Sequence, residues 1–121
     1  MASHNELGKL GENIAQRYLL EHGYAILETN WRIGRVEADI IAYYEGQIIF
    51  VEVKTRSSDK VTSPEDAVNL RKQRTYIRLA NAYVLQKRRE EEVRFDIMSI
   101  IVRGIDDVEI RHFKNAYTTV G

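Results

Sequence analysis

The stretch from Val36 to Lys54 constrains this chain more than any other. Two apolar runs, Val36–Tyr44 and Gln47–Lys54, are separated only by Glu45-Gly46, a spacing that predicts a β-hairpin. The second run is apolar from Ile48 to Val51 and then carries Glu52 and Lys54 on either side of Val53. Strand parity puts Ile48, Phe50, Glu52 and Lys54 on one face and Ile49, Val51 and Val53 on the other. By the same parity Glu37, Asp39 and Ile41 share a face of the first strand.

A two-residue turn makes Tyr44 face Gln47, and the same register sets Asp39 opposite Glu52 and Glu37 opposite Lys54. Two carboxylates facing each other on a half-buried sheet repel, and desolvation adds to the cost. A shared proton, Lys54 alone or a bound cation could each offset it, and an exposed hairpin with an ordinary Glu37–Lys54 salt bridge is the bland alternative. The apolar flanks favour the cation. With no cysteine, and with His4, His22 and His112 far apart, any metal would rest on carboxylates, and hard ions such as magnesium or manganese suit such ligands. Asp39 and Glu52 are then the candidate ligands. A metal on paired carboxylates beside a lysine points to phosphodiester hydrolysis, with Lys54 orienting the nucleophile or stabilising the transition state. Glu12, on a predicted helix, could add a further carboxylate, although alone it reads as a surface charge.

The rest of the chain predicts the order α-β-β-β-α-β-β, an α/β arrangement over residues 1–121 with no repeat or linker. Leu7, Leu10, Ile14 and Tyr18 recur at helical intervals between Glu6 and His22, with capping-box spacing at Ser3 and Glu6 and a stop at Gly23. His22 then complements the negative end of that helix. Tyr24–Trp31 reads as a strand with Trp31 in the core. Ser63, Pro64, Glu65 and Asp66 form a helix start, and the helix they open is expected to reach Arg89 with Ile77, Ala80 and Val84 as its core stripe. Strands at Val93–Val102 and Val108–Phe113 follow, with Asp96 in a structural ion pair with Arg94. No apolar run is long enough for a membrane span and no secretion signal opens the chain, so a cytoplasmic protein is the simplest expectation.

Formal net charge is zero, yet it is segregated: −4 over residues 1–53, +7 over 54–89 and −3 over 90–121. Arg71, Arg74 and Arg78 fall on one side of the predicted second helix, and Lys54, Arg56 and Lys60 lie just upstream. Together they could follow a phosphate backbone. Lys72 sits off that side, toward Tyr76 and Tyr83 and nearer the carboxylates. The tyrosines could stack on unpaired bases, but at this spacing they read first as core.

An acid followed about a dozen residues later by Glu52-Val53-Lys54 on an adjacent strand resembles the PD-(D/E)XK nuclease superfamily. Gly11-Glu12 with Ala15 and Tyr18-Leu19, Gly23-Tyr24, Asn30-Trp31-Arg32, Glu37-x-Asp39, Phe50 through Arg56, Lys72 and Arg94-Phe95-Asp96 resemble the small bacterial YraN-like family. That family is similar in turn to archaeal Holliday-junction resolvases. The chain departs from the pattern at Val36, where the family usually has glycine, and at Ala38, where the superfamily has proline.

The resemblance implies a restriction-endonuclease-like α-β-β-β-α-β core with a mixed central sheet flanked by helices. It implies Asp39 and Glu52 as ligands of magnesium or manganese, Lys54 as the catalytic lysine, and Glu37 and Glu12 as accessory acids. The expected partner is DNA, with branched or recombining structures as candidate substrates, and a homodimer would match their paired strands. The rival expectation is a nucleic-acid-binding module with a vestigial site. A protein-interaction domain with an accidental Glu-x-Lys is a third.

Overall fold

The computed structural model describes residues 4–57 and 70–118. Helix α1 (His4–Glu21) leads into strands β1 (Ala25–Ile33), β2 (Val36–Tyr44) and β3 (Gln47–Arg56). Helix α2 (Leu70–Gln86) is followed by β4 (Glu92–Gly104) and β5 (Asp107–Tyr117). The five strands form one sheet in chain order, antiparallel throughout except where β4 runs parallel to β3. This is the expected α/β order, with a mixed central sheet flanked by helices. Ser3, Lys60 and the Ser63–Asp66 helix start lie outside the described residues.

The sequence explains which strands are central. In β3 the unbroken run from Ile48 to Glu52 is buried, as is β4 from Phe95 to Ile101. Such runs suit strands covered on both faces. α1 supplies Ala15 and Leu19 to one face, where they pack with Ile40, Ala42, Ile49, Val51, Met98 and Ile100. α2 covers the other with Tyr76, Leu79, Ala80 and Tyr83, against Ile41, Ile48, Phe50 and Phe95. The buried stripe of α2 therefore differs from the expected Ile77–Ala80–Val84: Ile77 and Val84 are only half-buried and flank it. The cause is the large aromatic area that Tyr76 and Tyr83 remove from water, with Phe50 edge-on to both rings. Tyr76 and Tyr83 are consequently core residues, beyond reach of a stacking base.

Two backbone features set the β2–β3 register and the approach of α1 to β3. At the β2–β3 turn Glu45 and Gly46 both have positive φ (47° and 82°), as a two-residue turn of the primed type requires. α1 also lies against β3 at Gly11, where an added Cβ would stand 1.7 Å from Thr55 Oγ1. Only glycine permits this approach, and the next residue, Glu12, is carried with it toward the end of β3.

Asp96, paired with Val51 in the sheet, is completely buried and ion-paired with Arg94. Arg94 donates to both its oxygens at 2.9 Å, His112 Nε2 lies 2.7 Å from Oδ2, and the Asn115 N–H donates to Oδ1 at 2.9 Å. Burial alone would raise the Asp96 carboxyl; these partners outweigh it and leave the pKa lowered. His22 Nδ1 lies 2.7 Å from the Tyr18 carbonyl at the end of α1, the place expected for it. Trp31 is half-buried against the α2-side core, edge-on to Tyr83. No helix of the described residues is long and apolar enough to cross a membrane.

Candidate active site

The hairpin register matches the expectation from Tyr44↔Gln47 up to Ile40↔Val51, and there the paired ladder ends. Asp39 and Glu52 are brought together at that end, but not as a ladder pair, and Glu37 is not paired with Lys54. The side chains explain why. Asp39 turns its carboxylate into the sheet, and Oδ2 accepts the Val53 N–H at 2.9 Å, a bond the neighbouring strand would otherwise make. The Asp39 N–H is taken in turn by the Tyr76 hydroxyl at 3.0 Å. Two backbone donors freed by the splayed strands are thus both satisfied by side chains.

Face alternation in β2 reverses at the same point. Ile40 and Ala42 pack on the α1 side, whereas Ala38 packs with the α2-side core, although strand parity would group it with them. The expected common face for Glu37, Asp39 and Ile41 therefore does not form. The neighbouring strand is irregular too. Asn30, between the pairs Thr29↔Ile40 and Trp31↔Ala38, has a left-handed φ of 50°, a conformation asparagine tolerates better than most residues. Its Nδ2 donates to Glu12 Oε1 and to Glu37 Oε1, each at 3.0 Å. Glu12 is thereby tied into the site and is not a free surface charge. Glu37 meets Arg32 at 2.7 Å in place of the expected Lys54.

A cleft of about 540 Å³ opens at this end of the sheet, lined by Arg35, Val36, Glu37, Asp39, Glu52, Lys54, Arg71, Lys72 and Thr75. A smaller depression of about 210 Å³ adjoins it, with Glu12, Lys54 and Arg56 in its wall. The cleft thus collects Asp39, Glu52, Lys54, Glu37, Arg71 and Lys72 from the sequence-derived set. Glu12 and Arg56 lie next to it, while Arg74 and Arg78 are exposed farther along α2. Lys72 does approach the carboxylates, its Nζ 3.5 Å from Glu52 Oε1.

The acids are electrically unlike. Burial first, then the charge of Glu52, pushes the Asp39 carboxyl up to about 8, and Glu12 adds to the effect; the Val53 N–H opposes it. Glu37 is lowered, first by its hydrogen bond from Arg32 and further by Asn30, against the opposing effect of burial. Glu52 is 6% exposed, and its Oε2 is a buried oxygen without a hydrogen-bond partner among the described residues. A buried carboxylate oxygen without a donor is costly unless a proton or a cation meets it. Among the described residues no three His, Cys, Asp or Glu side chains converge as a metal-binding group, so an ion here would rest on Asp39 and Glu52.

Sequence reasoning gave Tyr76, Asn30 and Arg35 no role at this site. Tyr76 lies one helical turn beyond Lys72, which could have marked its hydroxyl as facing the acids. No signal in the strand pattern of Asn30 foretold its bridging of two carboxylates.

The family model that matches this chain, over residues 11–100, is described as "Uncharacterised protein family UPF0102". A UPF0102 protein of Bacteroides thetaiotaomicron is 47% identical over 117 residues, covering 97% of this chain and 96% of that protein. One from Flavobacterium psychrophilum is 42% identical over 117 residues, covering 97% and 98%. Among solved structures, Pyrococcus furiosus SfsA in complex with Ca2+ is similar at 20% identity and a TM-score of 0.42, over 89% of this chain and 62% of that one.

Proposed function

This chain belongs to the UPF0102 family, and we propose that it is a metal-dependent nuclease hydrolysing DNA phosphodiester bonds in the cleft between Asp39, Glu52 and Lys54. The observation that carries this reading is Glu52 Oε2, buried and without a hydrogen-bond partner among the described residues, beside an Asp39 carboxyl that burial and Glu52 push up to about 8. Such a pair suits a divalent cation, which would take up the repulsion between the two acids. Asp39 and Glu52 would hold magnesium or manganese. The ion, when bound, supplies charge neutralisation at the phosphate and favours attack by water.

The chain's own residues do the rest. Lys54, in the wall of both depressions, orients the nucleophile or stabilises negative charge on the phosphate. Arg35, Arg71 and Lys72 hold the flanking backbone by charge-assisted hydrogen bonds. Glu37, kept ionised by Arg32, and Glu12 maintain negative potential at one side of the cleft. Branched or recombining DNA is the proposed substrate, cut by a homodimer with one cleft for each of two strands.

One observation favours a second reading, a DNA-binding module that does not cut. Lys72 already gives Glu52 part of the positive charge that an ion would provide. The deciding experiment is cleavage of labelled four-way junction, flap, linear duplex and single strand in magnesium, in manganese and with chelator. Glu52→Ala, purified identically, runs beside the wild type. Metal-dependent cutting that the variant loses supports the nuclease. Salt-sensitive binding without cleavage supports the module.

A further inference from the structure

Beyond the cleft, the α2 side of the sheet ends in a shallow apolar notch of about 220 Å³, lined by Ile33, Val36, Arg78, Leu79 and Ala82. Ile33 and Val36 face each other across the β1–β2 turn and are 42% and 38% exposed. Val36 belongs to the walls of both the notch and the carboxylate cleft, so the two depressions adjoin. The basic side of α2 links them as well. Arg71 lines the cleft and Arg78 lines the notch, two helical turns or roughly 10 Å farther along. An apolar recess with a guanidinium at its rim, next to a cleft rimmed by Arg35, Arg71 and Lys72, complements a group with a flat apolar face attached to a phosphate. A nucleobase is such a group: its ring stacks on a guanidinium and packs on aliphatic carbons, while its backbone follows the cations.

Resting on the reading of the cleft as a DNA site, we propose that the notch is a binding pocket for an unpaired nucleobase next to the phosphate held in the cleft. A base within a continuous duplex cannot enter without being unpaired and unstacked, at a cost of a few kcal/mol. A base that is already extrahelical enters without that cost. The notch therefore gives the protein preference for DNA carrying an unpaired base at the cleft, independently of the base's identity. Leu79, 2% exposed, forms the firm floor that such selectivity needs.

The test uses the full chain with chelator, so that binding is read without cleavage. Two labelled duplexes of the same sequence are compared by anisotropy, one fully paired and one with a single extrahelical 2-aminopurine, whose fluorescence reports its surroundings. The bulged duplex is expected to bind about tenfold tighter, with a fluorescence change on binding. Ile33→Ser and, separately, Ala82→Gln, which fills the notch from the helix with a good helix former, should bring the affinity ratio close to one. Equal binding of both duplexes by the wild type, or a ratio that survives both substitutions, overturns the pocket while leaving the DNA reading intact. Absence of binding to either duplex at low salt overturns both.

Discussion

The hydroxyl of Tyr76 accepts the backbone N–H of Asp39 at 3.0 Å, joining the middle of α2 to the strand that carries the acid. Tyr76 is fully buried, and burial, Asp39 and Glu52 all hold its phenol in the protonated form. The negative charge of Glu52, on the second acid-bearing strand, acts on the same phenol. Tyr76→Phe keeps the ring packing and removes only this bridge, leaving a buried N–H without a partner. Urea unfolding should show a loss of about 1–3 kcal/mol. Tyr83→Phe is the control: its hydroxyl makes a 3.4 Å contact with Glu28, and its loss should cost about 0.5 kcal/mol. Equal costs for the two would show that the bridge contributes nothing particular.

The raised Asp39 carboxyl makes a prediction about pH. An unfolded aspartate titrates near 3.9, whereas in the folded chain Asp39 titrates at about 8. Between those values the folded state binds the extra proton. By linkage, this site stabilises the fold at low pH and loses that contribution as pH rises toward 8. Glu37 and Asp96, both lowered, work in the opposite sense and lose their contributions only as pH falls into the acid range. With chelator present, the wild-type melting temperature should therefore fall from pH 5 to pH 8 relative to that of Asp39→Asn. The variant, whose side-chain oxygen can still accept the Val53 N–H, should be the more stable protein at pH 8. Parallel melting curves for the two proteins across this range would refute the raised carboxyl.

The sequence made the hairpin legible because apolar alternation and a Glu-Gly turn fix register together, and that register holds up to Ile40↔Val51. It could not announce the splay beyond, since Asp39 stands where a regular strand residue would and differs only in what its side chain accepts. Lys72 was legible from helical geometry, because its angle on the wheel depends on spacing alone. The core stripe of α2 was not, since Tyr76 and Tyr83 are amphipathic and only the facing Phe50 decides that they go inward. The Glu12–Asn30–Glu37 bridge joins a helix to two strands, and local pattern carries no information on how those elements approach.

The buried Asp96 cluster should govern stability without belonging to the cleft. Replacing Asp96 by alanine leaves Arg94, whose side chain is only 13% exposed, without its carboxylate, and strands His112 and the Asn115 N–H. Breaking one side of a buried, hydrogen-bonded ion pair costs about 3–5 kcal/mol. Denaturant unfolding should show a loss of that size. Replacing the exposed Arg103 contact by Asp107→Ala should change stability by less than about 0.5 kcal/mol. A small effect at Asp96 would mean that the cluster relaxes or admits water.

Gly11 carries the last prediction, because it sets how closely Glu12 approaches the site. Glycine inside a helix costs about 1 kcal/mol relative to alanine, so Gly11→Ala on an isolated helix would be stabilising. Here the new Cβ would meet Thr55 Oγ1 at 1.7 Å and Thr55 Cβ and Cγ2 at 2.7 Å, distances that require α1 or β3 to move. Overpacking of this kind typically costs about 1–3 kcal/mol, which exceeds the propensity gain. Gly11→Ala should therefore lower stability. In a Thr55→Gly background, itself weakened by glycine in a strand, the obstructing side chain is gone and Gly11→Ala should cost little or nothing, a coupling that independent sites would not show. The shift should also loosen the Asn30 bridge, since Glu12 moves with the helix while Glu37 stays on β2. The Asn30 side-chain amide resonances in an NMR spectrum would report it: they should move in Gly11→Ala and return in the double variant. A destabilised single variant with unmoved Asn30 resonances would separate the packing of α1 from the geometry of the site.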